Sequence, residues 1–140
     1  IHERLVGSEM CIRDRLEPIK PLLNAGMIFE AIVLMLNNIT ANSVFYKKAL
    51  KLEGAVTFNQ IAMKCVYEMF MNIISEKSTG KKSKYRWLTP EVISTYYAQS
   101  LCFITEGWIA QGMDDIEPKE MAEAYMYLIT RSMDDILSEL

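Results

Sequence analysis

The stretch TPEVISTYYAQSLCFITEGWIAQG, Thr89–Gly112, decides how this chain is read. It opens with a threonine able to cap, a proline at the first helical position and an acid in the first turn. It closes on a glycine, the residue that ends helices most readily. Between these signals the apolar residues do not alternate as a half-buried strand would require. The spacing therefore predicts a helix running to about Gln111, with an apolar band wider than one contact needs.

Working upstream, KSTGKKSKYRWL (77–88) is polar and basic with Gly80 near its middle, and reads as a loop. Before it, TFNQIAMKCVYEMFMNIISEK carries Phe58, Ile61, Ala62, Cys65, Val66, Met69, Phe70, Ile73 and Ile74 at three- and four-residue steps, a helical stripe. NSVFYKKALKL predicts a short helix, capped by Asn42 or Ser43 and stopped at Gly54. From Pro21 to Thr40 the pattern predicts one helix that is apolar almost all round. Downstream, Glu117-Pro118-Lys119-Glu120 starts a last helix whose apolar residues extend to Leu137. No alternating segment and no repeat is present. The expectation is an all-α bundle of about five helices, the last two forming an antiparallel pair.

Two apolar faces on one helix call for a second partner, either a central position in the bundle or a twin copy across a two-fold axis. A homodimer is the expected answer, with Ile109, Tyr125, Met126, Ile129, Met133 and Leu137 at its interface. The alternative is a small helical interaction module that holds a partner protein and no ligand.

Composition narrows the function. The 140 residues carry 51% hydrophobic residues, enough for one domain with a real core, and a net charge of −3. That balance speaks against a nucleic-acid surface in this segment. Three cysteines show neither disulfide nor zinc spacing, so a cytoplasmic setting is expected. The longest apolar run, GMIFEAIVLML, is interrupted by Glu30 and too short to span a bilayer, and no secretory signal is visible.

Catalysis has little material. The single histidine is His2, so no Glu-x-x-His metal site can form. The acid pairs Asp114-Asp115 and Asp134-Asp135 are adjacent residues, which do not converge on one site. TGKKS misses the P-loop spacing and follows a helix, not a strand. Lys77, Lys81, Lys82, Lys84 and Arg86 read as a solvated basic loop, and Cys65 and Cys102 as small core residues. No enzyme activity, cofactor or metal is expected. What remains is a supply of methionines and aromatics. Met27, Met35, Met63, Tyr67, Tyr96, Phe103 and Trp108 would line an adaptable apolar pocket if the helices bundle.

Phe45 and Tyr46 with Gly54 and Phe58, then Tyr96-Tyr97, the Gly107-Trp108-Ile109 and Gly112 cluster, and Pro118, Glu120, Met121 and Ala122 together resemble the C-terminal domain of TetR-type transcriptional regulators. The similarity spans about Leu16 to the end. It implies an effector-binding domain that dimerises through its last two helices, and a separate N-terminal helix-turn-helix that binds operator DNA. The effector so implied is a small molecule, here of apolar or aromatic character, and the N-terminal head is expected to be missing from this chain. The opening stretch has another character. Leu5–Arg15, LVGSEMCIRDR, resembles the in-frame translation of a transposase-type sequencing adapter. Residues 1–15 are therefore expected to be a library artefact outside the fold, with the regulatory domain at 16–140.

Overall fold

The computed structural model describes residues 12–51, 57–78 and 80–140, and every regular element among them is helical. Residues 12–16 are helical and run into a 3-10 turn, Glu17–Ile19. Seven helices follow: α1 (Lys20–Asn24), α2 (Ile28–Ala41), α3 (Ser43–Ala49), α4 (Phe58–Lys77), α5 (Pro90–Ala110), α6 (Pro118–Thr130) and α7 (Met133–Glu139).

Seven stand where five were expected because two of the predicted helices break. The first breaks at Gly26, whose φ of +78° only glycine adopts without strain. Its N–H bonds the Leu23 carbonyl at 3.0 Å, and the Met27 N–H reaches back to Leu22 at 2.8 Å. That double bond pattern is a Schellman stop, so α1 ends and α2 restarts at a new angle. The second break is at Arg131, which is extended (φ −108°, ψ 148°). Ser132 then caps α7, its Oγ accepting the Asp135 N–H at 3.1 Å.

The other helix starts follow the local chemistry. Thr57 and Gln60 form a reciprocal capping box at the head of α4. Thr89 Oγ1 accepts the Val92 N–H at 3.3 Å, with Pro90 at the first position of α5. Gly112, at φ +100°, stops α5 where expected. Helix α3 ends at Ala49, and the stop predicted at Gly54 lies outside the described residues, as do His2 and Cys11.

Helices α4 and α5 pack along their lengths, and α6 lies across α2. The two long C-terminal helices, α5 and α6, meet chiefly through side chains. Ser100 and the Tyr125 hydroxyl are 2.8 Å apart, and Trp108 Nε1 donates to the Ile116 carbonyl at 2.9 Å. The second bond pins the connection between them against the buried indole. No break separates residues 12–15 from the bundle. Ile12 is buried, Arg13 pairs with Glu68 at 2.5 Å, and the Arg15 guanidinium lies 4.2 Å from the centre of the Phe45 ring.

Candidate functional site

An apolar cavity of ≈ 440 Å³ opens inside the bundle, walled by α1, α2, α4, α5 and α6. Its size falls in the usual range of small-molecule pockets. Ile19, Leu23 and Gly26 close one end, Ile32 and Met35 of α2 form a side, and Met69, Phe70 and Ile73 of α4 face them. Tyr97 and Leu101 of α5 and Tyr125, Met126 and Ile129 of α6 complete the wall, with Lys77 and Thr130 also on it. The break at Gly26 matters here, since a single straight helix from Pro21 to Thr40 would not wrap this volume.

The fixed polar feature is the Tyr125 phenol. Tyr125 is 2% exposed, and burial raises its pKa above the ordinary phenol value, so it stays neutral. Ser100 Oγ donates to the Tyr97 carbonyl at 3.1 Å, and the Tyr125 hydroxyl lies 2.8 Å from Ser100 Oγ and 3.4 Å from the same carbonyl. The Phe70 and Tyr97 rings stand 6.2 Å apart at 44° beside it. Chemically the cavity can exclude water from an apolar body and offer it aromatic faces.

The structure distributes the predicted pocket residues over several places. Met35 faces the cavity. Met63 and Trp108 edge a shallow outer groove with Phe103. Tyr67 is half-buried against the core, and Met27 is exposed at the α1–α2 turn. Tyr96 and Phe103 point outward, 62% and 76% exposed.

The predicted interface residues divide too. Ile109 and Tyr125 are both 2% exposed within one chain and have almost no surface to give a second copy. Met126 and Ile129 line the cavity, while Met133 and Leu137 are exposed on α7. The physical reason is helix phase. Each wide apolar band does have two faces, but which face turns inward is set by the neighbouring helices. The cavity residues that sequence reasoning missed, Leu23, Ile32 and Ile73 among them, carry no signal beyond core-like periodicity.

Two buried groups complete the inner surface. Cys102 is buried, and burial, with Glu106 nearby, pushes its thiol up to about 12, so it stays protonated. Thr105 Oγ1 is buried with no hydrogen-bond partner and borders a small void of ≈ 50 Å³. Among the described residues no group of three or more His, Cys, Asp or Glu could hold a metal ion. No single described helix is long and apolar enough to cross a membrane; α2 and α3, bent by 88°, pass such a test only as a pair.

The described residues thus form an all-helical bundle around a partly open apolar cavity, the architecture of a helical domain. Residues 27–131 match the TetR-type family described as transcriptional regulator C-terminal region, and the chain belongs to that family. Its members are transcription regulators that typically act as dimers binding DNA and small effectors. Neither the comparison with curated proteins nor that with solved structures returns a match.

Proposed function

We propose that this chain is the effector-sensing and dimerising domain of a TetR-type transcriptional regulator, working in the cytoplasm as a homodimer. The observation that carries this reading is the ≈ 440 Å³ cavity with its apolar wall. Its effector is a small apolar or aromatic molecule, oriented by a polar group directed at Lys77 or Thr130. Operator DNA is contacted through a helix-turn-helix head that these residues do not contain. The cavity touches both α6 and the α1–α2 turn, so a ligand filling it bears at once on the C-terminal helices and on the N-terminal segment. Ligand binding then favours one spacing of the two heads over the other, a population shift.

Dimerisation is supported by the outer face of α5, where Tyr96, Gln99, Phe103 and Gly107 form an exposed stripe at helical spacing. A thermal-shift panel of apolar and aromatic compounds tests the sensor reading. A ligand at a hundred times its dissociation constant adds about 2.7 kcal/mol to the stability of the native state. A broad panel without a stabilising member refutes the sensor reading and favours an interaction module. Light scattering tests the dimer. A monomer at all accessible concentrations refutes it.

We also infer that residues 1–15 derive from adapter sequence fused to the gene. Reads of intact genomic DNA crossing this junction would overturn that origin.

A further inference from the structure

Helix α7 and the loop before α5 are each unfinished in a way that the other completes. On α7, Met133, Ile136, Leu137 and Leu140 recur at i, i+3, i+4 and i+7, one apolar stripe, yet the helix buries none of its residues in its own chain. Met133 is 76% exposed and Leu137 60%. Asp134 flanks this stripe and Asp135 lies behind it, and no ion pair involves either among the described residues. The helix is folded back on its own α6 by Glu139, which accepts from the Tyr127 hydroxyl and lies 4.0 Å from Arg131.

The complementary surface is a groove of ≈ 730 Å³ built from Trp87, Leu88, Val92 and Tyr96. Trp87 is 75% exposed, an unusual state for the largest apolar side chain. The loop leading to it holds Lys81, Lys82, Lys84 and Arg86, all exposed and without ion pairs among the described residues, with Lys84 5.6 Å from the Tyr85 ring centre. Glu91 is the one acid on the groove. The groove continues through Tyr96 and Gln99 into the outer stripe of α5.

We propose that α7 of a second copy of this chain seats its apolar stripe in the Trp87–Tyr96 groove, with Asp134, at the flank of that stripe, beside the basic loop and Asp135 adding to the acidic charge of the helix. The contact is reciprocal, each copy giving one helix and one groove, as two-fold symmetry requires. It rests on the dimer reading above and extends it from the face of α5 to two arms that clasp the partner. Charge sets the choice of occupant: an acidic amphipathic helix meets a basic, aromatic groove, which no residue of its own α7 lines.

A charge swap in the full 140-residue chain tests this, with dimer dissociation constants measured by sedimentation. Lys82→Glu/Lys84→Glu and Asp134→Lys/Asp135→Lys should each weaken the homodimer roughly tenfold. Mixing the two should restore a heterodimer to within about threefold of the parent, because both reciprocal contacts regain opposite charges. Weakened homodimers without heterodimer rescue would mean α7 docks in its own chain, which overturns the proposal. Unchanged dimers in both variants would overturn it while leaving the α5 interface intact. A parent chain that never dimerises removes the interface reading itself, and the clasp with it.

Discussion

Replacing Ile129 by phenylalanine asks whether the cavity is open space or merely a seam in a packed core. Ile129 is half-buried on α6 with its side chain on the wall of the ≈ 440 Å³ volume. Phenylalanine adds three carbon atoms, and each carbon moved from water into apolar surroundings contributes about 0.8 kcal/mol. If the ring enters open space, the native state gains up to about 2 kcal/mol. If the region is already packed, forcing the ring in costs about 1–3 kcal/mol. The two cases therefore differ in sign. Urea unfolding of parent and variant at one protein concentration measures the difference, since stability depends on concentration when the native state is a dimer. For a domain of this size each kcal/mol moves the melting temperature by about 4 °C, so a thermal scan should agree. A loss of 1 kcal/mol or more with an unchanged denaturant slope would refute the cavity, and with it the case for an effector site.

Three further changes probe the scaffold. Gly26→Ala should cost about 1–2 kcal/mol, read as a lower urea midpoint. The space around an added Cβ is open, so the whole cost is the strain of φ +78°, and an unchanged midpoint would mean the α1–α2 stop is not held as described. Thr105→Val should be neutral or stabilise by about 1 kcal/mol, because it replaces a buried hydroxyl that has no partner; a clear destabilisation would show that the hydroxyl is in fact bonded. Glu106→Gln tests a titration. Burial raises the pKa of Glu106 above its ordinary 4.5, although Asn59 Nδ2, 2.6 Å from its carboxylate, pulls the other way. The folded state thus holds this proton more tightly than the unfolded chain, so the contribution of Glu106 is most favourable below pH 4.5 and is lost as pH rises through the raised value. The amide, which never ionises, should gain on the parent in midpoint between pH 4 and pH 7. A difference that stays flat or reverses would contradict the assignment.

Local chemistry made the helices legible. Thr89 with Pro90 and Glu117 with Pro118 mark starts that the structure keeps, because a capping side chain or a proline in the first turn acts within that turn. The two breaks were written in the same terms, Gly26 on one side and Ser132 with its two acids on the other. They were masked by apolar periodicity that runs on through them. The family resemblance was legible as well, since anchor residues such as Trp108 and Gly112 serve local needs: one hydrogen bond to Ile116, one left-handed backbone position.

The division of labour among the apolar residues was not legible. The sequence by itself determined that α5 and α6 carry more apolar surface than one contact can cover. Only the tertiary structure decided that Tyr125, Met126 and Ile129 turn toward the cavity, while Tyr96 and Phe103 stand outside. A helix's apolar band records how much surface must be covered. Which part of it faces inward depends on the rotation of that helix against α2 and α4, and those neighbours lie far away in the chain.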